Sequence, residues 1–296
     1  MLNRILSKIC KILTPKYGNY ALLVWKNKLQ NSVLKKKEHK YLFILSPPYC
    51  GSTLLNQLIS TSKTVSVNND VDTREGQRLP TLAKLMFYHT RRWDTTLDYD
   101  WEFVKKEWLK YWNLKATILL EKSPPNIVRA KSIEKYFQPA FFLIFHRNPY
   151  AHCESLIRRN EKDPVKAANF AIQCLNYQKI NIQELKSQKL QVSYELLTEH
   201  TESAVKMMTD LLPELGDIIY EKEFTAHNLH SKEMKISNLN QEKIDNLTLK
   251  ELDAINSVFT KNIIQSKLSY MTLSYLNQRE KWDFTSKYRY IDFFRI

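Results

Sequence analysis

Four short apolar runs constrain this chain more than any other feature: YLFIL (41–45), TILLE (117–121), FFLIF (141–145) and LQVSY (190–194). They are nearly continuous rather than alternating, the pattern of strands covered on both faces, as in a parallel sheet. Helical patterns follow most of them, over 52–62, 126–136, 150–159, 164–187 and 201–212, with a further helix over 248–262. Strands alternating with helices predict an α/β fold with a central parallel sheet flanked by helices. Such sheets bind ligands beyond the carboxyl ends of their strands. The residues that follow each run are therefore the first places to look for a site.

One region breaks the rhythm. More than 50 residues between the first helix and TILLE (about 63–116) show no clear strand, and they hold four of the six tryptophans, Trp93, Trp101, Trp108 and Trp112. This helical, aromatic-rich insertion reads either as a cap with its own small core or as a lid over an acceptor, since long insertions in compact α/β domains usually serve a site. The tail, 270–296, is aromatic and basic and suggests no element. No internal repeat interrupts the chain, so 41–296 is expected to be a single α/β domain preceded by an arm, 1–40.

The net charge of +14 is concentrated in that arm. Residues 1–40 carry ten basic residues, Arg4 and nine lysines, against one acid, Glu38, so the other 256 residues hold only five of the fourteen net charges. A nucleic-acid-binding domain would more often spread its charge over a folded face, and none is expected here. Within the arm Leu2, Ile5, Leu6, Ile9, Ile12 and Leu13 recur at helical spacing around Arg4, Lys8 and Lys11. That pattern fits a helix lying on a membrane surface, giving a peripheral membrane contact, or one docked on the domain. No apolar run reaches the length of a membrane-spanning helix, and the N-terminus makes a poor signal peptide. Cys10, Cys50, Cys153 and Cys174 form no C-x-x-C pair, which argues against zinc and a disulfide framework and for a reducing, cytoplasmic location.

The first run leads into SPPYCGSTLL, residues 46–55. Two prolines stiffen the turn, Gly51 opens a helix, and Ser52 and Thr53 stand at its N-terminus. There the first amides lack intrahelical partners and the helix dipole favours an anion. Gly51 allows close backbone approach to a phosphate. The loop is P-loop-like, but it lacks the second glycine and the lysine of a Walker A motif, which disfavours a magnesium-dependent ATPase or kinase. The third run leads into HRNPYAHCES, residues 146–155. Asn148 suits an N-cap and Pro149 the first helical position. Arg147 then stands at the strand's carboxyl end and Ser155 about two turns into the helix. Taken alone, Arg147 could equally be half of a surface ion pair.

Together these stretches resemble the sulfotransferases that use 3′-phosphoadenosine 5′-phosphosulfate, in particular the bacterial and tyrosylprotein branches. PYCGST resembles that family's P-[RK]-[ST]-G-[ST]-T loop, and RNPYAHCES its R-[ND]-P-x-x-x-x-x-S motif. LLEKSPPN (119–126) is similar to its lysine-containing segment and VSYELL (192–197) to its Y-E-x-L element. The four elements fall in family order across more than half the chain. The resemblance implies that Tyr49, Cys50, Gly51, Ser52, Thr53 and Leu54 form the 5′-phosphosulfate loop. It assigns Arg147 and Ser155 to the 3′-phosphate and places Tyr194 near the adenosine, though a strand-end core tyrosine explains Tyr194 as well. The reaction implied is sulfuryl transfer to a hydroxyl acceptor, small-molecule or carbohydrate, with no metal.

One departure stands out. The basic residue of the family's loop is replaced here by Tyr49, a neutral phenol. Lys122, which follows a strand on the same sheet edge, is the expected substitute. The resemblance also calls for a base soon after the first helix, to take the acceptor's proton. Glu75 is the first choice, with Asp70, Asp72 and His89 as rivals. His146 and His152 are expected in a supporting or surface role. Tyr49 keeps two other readings open: a pseudoenzyme that binds the donor without using it, and a nucleotide kinase of similar topology.

Overall fold

The computed structural model describes residues 18–32, 38–160, 163–226 and 232–266. The amphipathic segment 2–13 and the tail 270–296 lie outside these residues. Helix α1 (Gly18–Ser32) comes first, followed by β1 (Lys40–Leu45), α2 (Ser52–Ile59) and β2 (Val65–Val67). After a long connection come α3 (Trp101–Tyr111), β3 (Ile118–Glu121), α4 (Ala130–Tyr136) and β4 (Ala140–His146). Next are α5 (Pro149–Asn160), α6 (Pro164–Glu184), β5 (Gln188–Ser193), α7 (Tyr194–Glu199) and α8 (Thr201–Leu211). A two-stranded antiparallel ribbon, β6 (Phe224–Ala226) and β7 (Lys232–Met234), precedes α9 (Asn240–Asp245) and α10 (Leu249–Ser266).

Five strands form one parallel sheet in the order β2-β3-β1-β4-β5. The four apolar runs are four of these strands. The fifth, β2, lies inside the stretch expected to be strandless. Its three residues, VSV, are too short to give a period, and pairing with Ile118–Leu120 of β3 makes them a strand. The chain leaves β1 towards β2 on one side and leaves β4 towards β5 on the other. β1 and β4 are neighbours, so a crevice opens where their outgoing loops diverge. Gln178 of α6 is fully buried beneath it and donates to the carbonyls of Leu45 (2.6 Å) and Phe145 (3.0 Å). Two strand-end acceptors are thereby satisfied without water.

The near-continuous apolar character of the strands follows from burial on both faces. Alternate residues of β1 and β4 point to opposite layers: Phe43, Leu45, Phe142 and Ile144 to one, Leu42, Ile44, Phe141 and Leu143 to the other. The second layer is closed by Leu55, Leu58 and Ile59 of α2 and Ala204 and Met208 of α8. The first is closed by the insertion. Trp101, Trp108 and Trp112 are fully buried; Trp108 packs with Phe43 and Phe137, Trp101 with Phe137 and Trp112 with Tyr41, so they belong to the main core rather than to a separate one. Truncating Trp108 to alanine is expected to destabilise the protein by about 3–5 kcal/mol, the usual cost of emptying a buried aromatic site. A chemical-denaturation midpoint would measure this; a loss below about 1 kcal/mol would place the ring outside the core.

The insertion is less helical than its pattern predicts. Of its α-helices α3 alone is described, with a 3₁₀ turn at Gly76–Arg78 and a π-helical segment at Ala83–Phe87 before it. The expected helix 126–136 is also divided, into a 3₁₀ turn (Pro124–Val128) and α4. Between them Arg129 leaves helical geometry, and its buried guanidinium donates to the carbonyls of Arg92, Asp94 and Leu97. α1 packs against this layer through Tyr20, Leu23 and Val24, and the Asn27 amide donates to the Tyr111 carbonyl at 2.6 Å. None of the described helices is long and apolar enough to cross a membrane.

Candidate active site

At the carboxyl edge of the sheet lies a cavity of about 660 Å³, lined by the loops after β1, β3 and β4, the start of α7 and the insertion. Seven basic side chains and two acidic ones line it. A cavity with that surplus, walled by low-dielectric protein, favours a polyanionic ligand.

The β1–α2 loop forms its floor. Gly51 is the N-cap of α2 with φ 93°, and no side chain caps the helix. Its left-handed backbone favours glycine, and a Cβ there would lie 2.7 Å from the Tyr194 ring. The first amides of α2 are thus left without intrahelical or side-chain partners at the cavity floor. Gly51, Ser52, Thr53 and Leu54 all line the cavity. Cys50 does not. It is buried in the core cluster that also contains Phe145 and Tyr194, and burial pushes its thiol pKa well up.

Arg147 follows β4 directly and is 8% exposed. Its Nε donates to Asn240 Oδ1 (2.7 Å), one Nη donates to the Tyr49 carbonyl (3.3 Å), and its guanidinium lies 4.1 Å from the Tyr194 ring centre. Among the described residues Nη2 is buried with no hydrogen-bond partner, and no carboxylate lies within 4.0 Å. The nearest acid in its network is Glu195, one residue removed: Glu195 Oε1 accepts from the Asn240 amide (2.6 Å) and the Asn148 backbone (2.8 Å). A buried guanidinium with an idle donor is costly unless an anion completes it. Asn148 caps α5 by accepting from the backbone of Tyr150 and Ala151, as expected; Ser155, two turns on, lines the cavity, and its hydroxyl donates to Glu154 Oε2 at 3.2 Å. Tyr194 belongs to the core cluster around Phe145 and Val192. It lines the cavity, and its hydroxyl is tied to Ser237 and Leu239 at the core's edge.

Lys122 follows β3 and is fully buried. Its Nζ donates to the Thr73 carbonyl (2.5 Å) and to Thr53 Oγ1 (3.3 Å), and stands 3.5 Å from Glu75 Oε1. Burial lowers its pKa; the charges of Glu75 and then Glu121 oppose that shift. Glu75 lines the cavity and takes a hydrogen bond from Gln77 Nε2 at 2.6 Å. The rivals lie elsewhere. Asp70 is exposed, Asp72 pairs with Arg78 at 2.8 Å, and His89 follows the π-helical segment and accepts from the Arg91 backbone. None of the three lines the cavity. His146 and His152 are not at the surface. Both are buried, and burial lowers the His146 pKa to about 4.

The sequence reading missed Glu121, the last residue of β3. It is fully buried and accepts from the Gly76 backbone (3.1 Å), Ser123 Oγ (2.5 Å) and the Asn126 amide. It clamps the loop carrying Glu75 to the strand end carrying Lys122. A Cβ on Gly76 would lie 2.5 Å from the Asn68 amide nitrogen and 2.8 Å from Glu121 Oε1, so the close approach needs glycine. Burial pushes the Glu121 pKa up to about 7, opposed mainly by its Ser123 and Gly76 bonds. The raised value fixes a sign. Between about pH 4.5 and 7 the unfolded chain releases this proton while the folded chain keeps it, so stability falls as pH rises through that window. Glu121→Gln is expected to flatten that part of the pH–stability curve. An unchanged slope in urea titrations would refute the shift.

Arg159 was missed as well. It stands one helical turn beyond Ser155, lines the cavity, and holds its guanidinium 5.2 Å from the Tyr49 ring centre. The i, i+4 spacing from Ser155 was the available signal. Tyr49 itself is left-handed, φ 63°. The loop position without a charge of its own is therefore flanked by two cations, Arg147 at its carbonyl and Arg159 over its ring.

The strand order and the cavity at the divergence of β1 and β4 define a P-loop-like α/β fold of the nucleotide-binding type. The chain belongs to the sulfotransferase family, whose model matches residues 42–214, more than half of its length. No curated protein matches it significantly. Among solved structures, the sulfotransferase domain of the Synechococcus PCC 7002 olefin synthase is similar at 19% identity, covering 75% of this chain and 95% of that domain, with a TM-score of 0.44. The sulfotransferase STF9 from Mycobacterium avium is 14% identical over 85% of this chain and 86% of its own, with a TM-score of 0.43. A sulfotransferase from Alicyclobacillus acidocaldarius is 13% identical over 86% of this chain and all of its own, with a TM-score of 0.44.

Proposed function

We infer that the protein transfers a sulfuryl group from 3′-phosphoadenosine 5′-phosphosulfate to a hydroxyl acceptor. The observation that carries this reading is the convergence of the uncapped α2 N-terminus, Lys122 and Arg147 on one cationic cavity. The donor supplies the sulfuryl group and leaves as a 3′,5′-bisphosphate. The backbone of Gly51–Leu54 and the hydroxyls of Ser52 and Thr53 would hold its 5′ end, and Arg147 and Ser155 its 3′-phosphate. Tyr194, with the Arg147 guanidinium over its ring, would border the adenosine.

Glu75 is the base. It takes the acceptor's proton as the oxygen–sulfur bond forms and the sulfur–oxygen bond to the 5′-phosphate breaks. Lys122 offsets the negative charge that appears on the departing phosphate. Its bonds to Thr73 and Thr53 fix it before reaction, so little reorganisation is needed at the transition state. Most of the rate comes from position and charge, as in phosphoryl transfer.

The reading is tested with ³⁵S-labelled donor and a panel of alcohols and phenols, in parallel with γ-labelled ATP and Mg²⁺. Labelled sulfate ester from the first incubation is the expected result. Glu75→Gln should lower that rate by about 10²–10⁴-fold with little change in donor affinity. Transfer from ATP and none from the phosphosulfate would favour the kinase reading. Tight binding of 3′-phosphoadenosine 5′-phosphate without turnover would favour the pseudoenzyme.

A further inference from the structure

The insertion and α6 contribute part of the cavity wall. That part combines aromatic rings with cations. Phe87, at the end of the π-helical segment, has the Arg78 guanidinium 4.4 Å from its ring centre and the Arg92 guanidinium 5.0 Å from it. Trp93 meets Phe170 of α6 edge-on at 5.0 Å. All five side chains line the cavity.

The two arginines are not equivalent. Arg78 is paired with Asp72 Oδ2 at 2.8 Å. Arg92 has no carboxylate within 4.0 Å among the described residues. One of its Nη atoms donates to the Phe87 carbonyl at 2.9 Å, which fixes the side chain. Its remaining guanidinium N–H groups have no protein partner among the described residues. The surroundings add positive charge: buried Arg129 donates to Arg92's own carbonyl and to those of Asp94 and Leu97. The nearby Asp94 carboxylate is already engaged by Arg91 and Thr96. Two cations held against one ring, with a single carboxylate between them, form a place where an anion is favoured. A planar guanidinium offers paired donors to a carboxylate or an ester oxyanion. The rings alongside suit the face of a sugar or phenyl group.

Resting on the sulfuryl-transfer reading, we propose that this wall selects the acceptor: a ring-bearing hydroxyl compound with an anionic group, held by Arg92 with help from Arg78, its hydroxyl facing Glu75. Carboxylate, sulfate ester and phosphate ester share the required chemistry, and the binding arms below separate them. The donor end has its own basic side chains, Arg147, Arg159 and Lys243, so the acceptor's anion need not compete for them.

The test uses the full chain and a matched pair, p-nitrophenyl β-D-glucuronide and p-nitrophenyl β-D-glucoside, which differ only at C6, a carboxylate in one and a hydroxymethyl group in the other. Binding is measured by calorimetry with and without saturating 3′-phosphoadenosine 5′-phosphate. The 6-sulfate and 6-phosphate esters of the glucoside are titrated as further arms. At least one anionic sugar should bind about 10–100-fold more tightly than the neutral glucoside. The preference should shrink as salt is raised. Arg92→Ala should remove most of it, and Arg92→Lys should restore part, while nucleotide affinity and the melting temperature report that both variants are folded. Arg78→Ala, measured in parallel, should reduce the preference less. Equal affinity for the neutral and all anionic sugars, or no binding of any of them, overturns the proposal. So does a preference that survives Arg92→Ala, or one abolished by saturating nucleotide, which would place the anion in the donor half. Failure of the nucleotide itself to bind would count against the donor reading alone, since the sugar comparison is also made without it.

Discussion

Replacing Lys122 by alanine is expected to lower turnover by about 10²–10³-fold, the range for removing one preorganised electrostatic stabiliser from an active site. Affinity for 3′-phosphoadenosine 5′-phosphate should change much less, because the α2 amides and Arg147 remain. The effect is large because of where Lys122 sits: Arg159 lies over the Tyr49 ring, whereas Lys122 contacts both Thr53 and Glu75. Removing it leaves Glu75 without its cation, so a thermal melt must accompany the kinetics. Single-turnover rates separate the outcomes. Equal losses in nucleotide affinity and rate would make Lys122 a ground-state binding residue. An unchanged rate would exclude it from the chemistry.

Arg147→Ala is expected to weaken binding of 3′-phosphoadenosine 5′-phosphate by about 30- to 1,000-fold, the range for truncating one member of a buried charge pair. AMP, which lacks the 3′-phosphate, should be affected far less. Three features make the residue costly to lose: it is buried, its Nε is fixed by Asn240, and its Nη2 has no partner among the described residues. The alanine variant also removes a buried charge that no carboxylate of the described residues balances within 4.0 Å, so the free protein should not be weakened in proportion. A parallel loss of both nucleotides would mean that Arg147 shapes the loop through the Tyr49 carbonyl instead of binding the 3′ end.

The sheet was legible in the sequence because burial on both faces makes each central strand a continuous apolar word. YLFIL and FFLIF could hardly be solvated, and both became inner strands. The loops after them were legible for the same reason, since a parallel strand delivers its next residues to the ligand edge. β2 was not legible: VSV is a strand only because Ile118–Leu120 lies beside it. The insertion misled in a different way. Its tryptophans suggest a helix of their own, but Trp101 and Trp108 meet Phe137, Trp108 also meets Phe43 and Trp112 meets Tyr41, rings from β1 and just after α4, so their burial reflects tertiary packing.

The same distinction holds within the site. Glu75 could be named from its place in the chain, but its position on the cavity wall 3.5 Å from Lys122, where Asp70, Asp72 and His89 do not line the cavity, is a tertiary fact. Glu121 looked like the polar end of a strand; its role as a clamp depends on the Gly76 backbone, 45 residues away. Arg92 has no motif around it. It becomes a candidate through Phe87 and the lack of a carboxylate within 4.0 Å among the described residues, neither of which spacing encodes.

The central claim is that the cavity reads a nucleotide bearing both a 5′ and a 3′ anion. The most direct measurement is a calorimetric titration of the wild-type protein with 3′-phosphoadenosine 5′-phosphate, AMP and ATP with Mg²⁺. One-site binding of the bisphosphate, at least about 30-fold tighter than AMP and tighter than ATP with Mg²⁺, is the predicted result. Equal affinity for AMP and the bisphosphate, or a preference for ATP with Mg²⁺, would contradict it.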